Sequence, residues 1–126
     1  MHIRNNIESI RICDREYPEL LKNIKDPPDT IYFAGDIALI KGVSAAVVGT
    51  RKCSEYGRQT ALRIGRMLGK NKVTVVSGMA AGIDAHAHAG ALDAGGKTVA
   101  VLACGPDICC PRENRKIYEM IREKGL

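Results

Sequence analysis

A chain of 126 residues has room for one compact domain. Hydrophobic residues at 45% exclude a disordered polymer, and 4% aromatics, with no Trp and Phe33 the single phenylalanine, require an aliphatic core. The net charge of +5 comes from residues 43–82, where Arg51, Lys52, Arg58, Arg63, Arg66, Lys70 and Lys72 stand against Glu55 alone, which favours a polyanionic partner.

The N-terminus, Met1-His2-Ile3-Arg4-Asn5, lacks the core of a signal peptide, and no apolar run approaches the ~20 residues that span a bilayer. A cytoplasmic protein without membrane contact is expected. Residues 1–42 read as an N-terminal extension packed on the core. In it, Tyr17-Pro18-Glu19-Leu20-Leu21-Lys22-Asn23-Ile24 predicts a short helix stopping before Asp26-Pro27-Pro28. Thr30-Ile31-Tyr32-Phe33-Ala34 alternates into a short strand closed by Gly35-Asp36.

Residues 43–126 form the core, with a strand–loop–helix rhythm repeated three times. The expected strands are Val43–Val48, Val73–Val76 and Thr98–Cys104; the expected helices are Tyr56–Lys70, Asp84–Ala94 and Glu113–Lys124. Such alternation predicts an α/β fold with a mainly parallel sheet, right-handed crossovers and helices on both faces. Ligands of such sheets sit at the carboxyl ends of the strands, near the point where strand order reverses. The loops at those ends are Gly49–Ser54, Ser77–Ile83 and Gly105–Arg112. At about 100° per residue, Gly57, Ala61, Ile64 and Leu68 share the buried face of the first core helix, and Arg63, Arg66 and Lys70 the opposite, solvated one. Arg51 and Lys52, with Arg58 at the margin, are the cations placed to reach the loops.

The second loop organises the rest. A β-branched strand, a glycine-rich turn and an alanine-rich helix gather backbone N–H groups at one helix N-terminus, a setting for a phosphate. Gly78 and Gly82 let the backbone come close to a ligand. Neither G-x-x-x-x-G-K-[ST] nor G-x-G-x-x-G after a strand is present. In the first loop Gly49 allows a sharp exit, Thr50 offers a hydroxyl, and Arg51 a planar fork for phosphate or carboxylate. In the third, Arg112 adds a cation, and Asp107 and Asn114 are candidate backbone clamps.

Asp84 and His88 are four apart and share a helix face, while His86 points about 200° away, so these three alone make no metal site. Asp84 reads more simply as a helix cap or dipole partner. Cys13, Cys53, Cys104, Cys109 and Cys110 follow no disulfide or zinc spacing and read as reduced thiols. No catalytic residue, metal or cofactor is expected, because paired carboxylates and an activated nucleophile are both missing from the loops.

Beyond single motifs, a long series of residues occurs in one order. It runs from Tyr17-Pro18, Leu20-Leu21, Asp26-Pro27-Pro28 and Tyr32 before Gly35-Asp36 to Val47-Val48-Gly49-Thr50-Arg51 and Tyr56-Gly57. It continues with Val75-Val76-Ser77-Gly78-Met79-Ala80, Gly82-Ile83-Asp84, Ala87-His88 and Gly90-Ala91-Leu92, then Gly95-Gly96-Lys97-Thr98, Ala100-Val101-Leu102, Gly105 and Pro111-Arg112-Glu113-Asn114. In this order the chain resembles the DNA-processing protein A family, also called DprA or Smf. The resemblance implies a Rossmann-like three-layer fold that binds single-stranded DNA, protects incoming DNA during natural transformation and helps load the RecA recombinase. The DNA-binding residues it implies are Gly49, Thr50, Arg51 and Lys52 in the first loop, Ser77, Gly78, Ala80, Gly82, Ile83 and Asp84 in the second, and Gly105, Arg112 and Asn114 in the third. The family carries Tyr where this chain has Cys110, and its members continue past Leu126 into further strand and helix.

The main rival is a nucleotide-binding or nucleotide-hydrolysing protein related to the lysine-decarboxylase-like phosphoribohydrolases. Their P-G-G-x-G-T-x-x-E signature supplies a catalytic Glu; Gly95-Gly96-Lys97-Thr98 opens a strand and lacks it. A third reading gives the same pocket to one mononucleotide in a sensing or protein-interaction domain. A parallel sheet of few strands leaves edge groups unpaired, so a homodimer is expected.

Overall fold

The structure, a computed structural model, describes residues 6–126; the N-terminal segment read above for a signal-peptide core lies outside the described residues. The chain opens with a strand that the sequence reading did not anticipate. β1 (Glu8–Arg11) pairs antiparallel with β2 (Thr30–Phe33), from Glu8 opposite Phe33 to Arg11 opposite Thr30. In β1 Ile10 alone is buried, so no run of alternating apolar residues announces it. Between them the expected helix shrinks to one turn, α1 (Glu19–Lys22), preceded by Pro18 and lacking a side-chain cap. A 3-10 turn, Ile37–Lys41, follows, with the Asp36 carboxylate accepting from the Ala38 amide at 3.0 Å.

The core alternates as expected: β3 (Ser44–Ala46), α2 (Glu55–Lys70), β4 (Thr74–Ser77), α3 (Ile83–Asp93), β5 (Thr98–Ala100) and α4 (Arg115–Lys124). The three strands are parallel in the order β3-β4-β5, with Ser44 opposite Thr74 and Val75 opposite Thr98. The result is a Rossmann-like α/β fold. Both crossovers advance in the same direction, which puts α2 and α3 side by side on one face. Among the described strands the order does not reverse, so no topological switch point creates the crevice.

Elements end sooner than their apolar runs. Past Ala100, the Val101 amide still donates to Ser77 O at 2.9 Å, but the chain then folds into a turn closed by the Ile108 amide on Gly105 O at 3.0 Å, so the strand does not reach Cys104. The last helix is preceded by a separate 3-10 turn, Arg112–Asn114, in which the Asn114 amide donates to Pro111 O at 3.1 Å. α2 starts on a true cap, the Ser54 hydroxyl accepting from the Gly57 amide at 3.1 Å.

Val75 is fully buried against Ala87 and Ala91 of α3, with Val47 and Leu68 at the rim. A second cluster joins Met79 and Leu92 to Tyr118 and Ile121 of α4. α2 and α3 approach at backbone distance: a Cβ on Gly65 would lie 2.3 Å from Ala87 O, and one on Gly90 would lie 2.2 Å from Leu62 O. The other sheet face is only partly covered. β2, the first 3-10 turn and α4 border an open apolar trough of about 700 Å³, lined among others by Ile31, Phe33, Leu39, Val76, Val99 and Val101.

Candidate functional site

The first two strand-end loops are joined through one carboxylate. Asp84, buried in the first turn of α3, accepts the Gly49 amide on Oδ1 at 3.2 Å and the Gly78 amide on Oδ2 at 3.0 Å. Of the two roles expected of it, cap and dipole partner, the cap is not taken: the N-cap position is Gly82, without a side-chain bond, and Asp84 stands as the acidic residue of the first turn with both oxygens on the loops. Gly82 sits at φ +84°, where a Cβ would strike Thr50 O at 2.4 Å and Arg51 O at 2.5 Å. The Ile83 amide donates to Thr50 O at 3.2 Å, and the Ile83 side chain fills the space a Cβ on Gly49 would need. The His86 ring donates from Nδ1 to Gly82 O at 2.7 Å, closing the turn. Ser77 lies beneath, buried, its hydroxyl donating to Val47 O at 2.6 Å.

The turn itself is held from two sides. Met79 adopts φ +61° and is buried. Its amide donates to His88 Nε2 at 3.3 Å, and its carbonyl accepts from Asn114 Nδ2 at 2.8 Å. The Thr98 hydroxyl donates to Val75 O at 2.8 Å and therefore accepts from His88 Nδ1 at 2.6 Å, which fixes the Nδ1–H tautomer. Burial pushes the His88 pKa down to about 4, although the nearby Asp84 charge works the other way. Both ring nitrogens of His88 are thus engaged in holding the loop.

Asn114 is a clamp, as expected, but for the second loop rather than its own. The third loop is pinned by the Tyr118 hydroxyl donating to Pro106 O at 2.8 Å. Gly105 has Asp107 and Ile108 of its own loop as nearest neighbours, and Arg112 is exposed at the start of its 3-10 turn. All five cysteines are free, and burial pushes the Cys109 thiol up, away from the thiolate form. Among the described residues no group of three His, Cys, Asp or Glu side chains is arranged to hold a metal.

What faces solvent is the first loop. Gly49, Thr50, Arg51 and Lys52 are all exposed, and Arg51 and Lys52 form no ion pair among the described residues. The Thr50 hydroxyl oxygen accepts the Lys52 amide at 3.3 Å. The amides of Thr50, Arg51, Ala80, Ala81 and Gly82 donate to no acceptor among the described residues. Ala80 is half-buried, its carbonyl accepting from the Ala85 amide at 3.1 Å. Unshared amides and two unpaired cations in adjoining loops are the groups an oxyanion would need. Of the α2 cations, Arg58 pairs with Glu55 and Arg66 crosses to Asp93 of α3 at 2.9 Å, while Arg63 and Lys70 lie further along the helix from the loops. Sequence reading passed over Met79 and Thr98, whose roles depend on a left-handed residue and on a contact across ten positions; a histidine in an alanine-rich helix was the one sign that a polar partner had to exist.

A sequence profile of the DNA recombination-mediator protein A family matches residues 8–126. Protein Smf of Synechocystis sp. is 38% identical over 99% of this chain and 32% of its own length. DNA processing protein DprA of Streptococcus pneumoniae is 39% identical over 94% of this chain and 42% of its own. The X-ray structure of DprA from S. pneumoniae superposes with a TM-score of 0.85 at 36% identity, covering 94% of this chain and 42% of that one. DNA processing protein A of Helicobacter pylori, described for its unique single-stranded DNA binding mode, superposes with a TM-score of 0.82 at 29% identity, covering 97% of this chain and 54% of that one. The chain therefore spans 32–54% of the length of these relatives.

Proposed function

The chain belongs to the DNA recombination-mediator protein A family, and from that premise we propose that it binds single-stranded DNA by its phosphates at the carboxyl ends of β3 and β4. The observation that carries this is that set of groups: unshared amides at Thr50–Arg51 and Ala80–Gly82 with the unpaired Arg51 and Lys52. Arg51 grips one phosphate with its fork and Lys52 acts as a point charge. Gly49, Gly78 and Gly82 do not open space for the strand, the use their sequence suggested; the missing side chains leave room for Ile83, the Asp84 carboxylate and the Thr50–Arg51 backbone, which lets the two loops close on each other. Ser77, Asp84 and Asn114 act as positioning residues, and Gly105 and Arg112 extend the path. The single-stranded DNA mode attributed to the H. pylori relative supports the same reading. A binding module without hydrolytic chemistry fits the engagement of the buried Asp84 and His88 in holding the loops. RecA loading, carried by the family resemblance, homodimer formation, which would cover the unpaired edges of a short parallel sheet, and a cytoplasmic location all belong to this proposal; among the described residues no helix is long and apolar enough to cross a membrane.

The test is a titration with labelled single-stranded oligonucleotide at two salt concentrations. Arg51→Ala should weaken binding by roughly 1–3 kcal/mol, the order of a charge-assisted hydrogen bond. The slope of log affinity against log salt should flatten by up to about 0.7, one single-strand phosphate contact. Lys70, exposed in the last turn of α2 at the far end from the loops, is the control and should change little. Equal losses from both changes would mean diffuse attraction to a basic surface. A mononucleotide bound as tightly as the oligonucleotide would favour the nucleotide-sensing reading instead.

A further inference from the structure

Phosphate contacts alone leave the bases of a bound strand in water, and single-strand binders commonly give them an aromatic surface. The chain has five Phe and Tyr side chains in all. Tyr17 and Tyr118 are buried with their hydroxyls committed to Pro28 O and Pro106 O. Phe33 and Tyr32 belong to β2; Tyr32 is 66% exposed, but both border the apolar trough, which none of Gly49–Lys52 lines. The third loop presents Ile108, Cys109 and Cys110, none of which has a π-face. Tyr56 alone is left, in the first turn of α2, four residues past Lys52 and 78% exposed.

Its orientation follows from the helix. Gly57, Ala61 and Gly65 run along the α2 side that packs inward and toward α3, and Tyr56 lies about 100° before Gly57. It therefore faces away from α3, toward the free edge of β3, where Val48 is 70% exposed directly before Gly49. Helical side chains lean toward the N-terminus, so the Tyr56 ring overhangs the turn that carries Arg51 and Lys52. Its hydroxyl bonds to nothing among the described residues, leaving the ring face free. A cationic turn with unshared amides, flanked by an exposed aromatic and an exposed Val, offers separate surfaces for the phosphate and the base of a nucleotide.

We propose that Tyr56, seated beside Val48, is the base-stacking residue of the site, so that the strand lays its phosphates on the Gly49–Lys52 turn and its bases on the β3-edge side of α2. This rests on the single-stranded DNA reading above and goes beyond it in naming the side on which bases lie and the residue that meets them.

The test compares two labelled strands of about 12 nucleotides, oligothymidylate and a fully abasic strand of equal length, on the full chain. Tyr56→Ala should weaken oligothymidylate binding roughly 5- to 100-fold, the loss of one stacked base, and leave abasic binding unchanged. Tyr56→Phe should stay near the unaltered protein, since the face and not the hydroxyl makes the contact. Arg51→Ala should weaken both strands alike. An equal loss on both strands from Tyr56→Ala, or no loss on either, overturns the inference while the response to Arg51→Ala keeps the DNA reading intact. No binding of either strand by the unaltered chain overturns that reading and the inference with it.

Discussion

Asp84 is one carboxylate divided between two loops, and its two oxygens have separate duties. Replacing it by Asn keeps the shape but turns an NH₂ toward an amide that itself needs an acceptor. Asp84→Asn should lower stability by roughly 1–3 kcal/mol, the cost of an unsatisfied buried group. It should also weaken DNA binding with the salt slope unchanged, because no phosphate contact is removed; denaturant melts and the salt series read the two effects separately. His88 gives a different signature. Its folded pKa of about 4 lies below the ordinary 6.5, so between those values the unfolded chain binds more protons than the folded one. The stability from neutral His88 is therefore complete above pH 6.5 and is lost as pH falls toward 4. A drop of roughly 3 kcal/mol over that window is the limit for one group at 1.36 kcal/mol per pKa unit. His88→Gln, which cannot titrate, should flatten that part of the stability-against-pH curve whatever it does to absolute stability.

At the scale of elements, the pairing of α2 with α3 decides most. Ala in place of Gly normally helps a helix by roughly 0.5–1 kcal/mol. Gly90→Ala should nevertheless destabilise by roughly 1–3 kcal/mol, because its methyl would stand 2.2 Å from Leu62 O, a backbone atom that moves only with the whole helix. Gly42→Ala is the control: its nearest neighbour is 3.8 Å away and its φ of −83° suits any residue, so its melting temperature should hold. The long core helices α2 and α3 were legible in the sequence because their signals are local. The period that puts Gly57, Ala61 and Leu68 together shows in the letters, and the Ser54 cap the structure adds is equally local. Strand ends were not, since they depend on where a neighbour stops offering hydrogen bonds. The run from Thr98 to Cys104 reads as one strand, yet Ser77 is the last residue of β4 able to pair with it.

At the scale of the molecule, the strand–loop–helix order was enough to bring the three loops to one end of the sheet, so where those loops gather was legible. What each residue does there was less so. Asp84 serves amides 35 and six positions away and His88 a hydroxyl ten positions on, and no period in the letters encodes such pairings. The β1 strand and the uncovered sheet face were likewise invisible, being matters of what lies against what. The accessible surface of 8349 Å² exceeds the roughly 6,600 Å² expected of a globular protein of 13.6 kDa, and the trough between β2 and the sheet is part of the excess. That trough has a calorimetric consequence. Apolar surface already wetted in the native state is not newly hydrated when the chain unfolds, so it adds nothing to the heat-capacity increment. The increment is then smaller than it would be with the trough covered, by under about 1 cal/mol/K per residue, and the dome of stability against temperature is slightly flatter. Whatever fills the trough restores the curvature as well as raising the maximum.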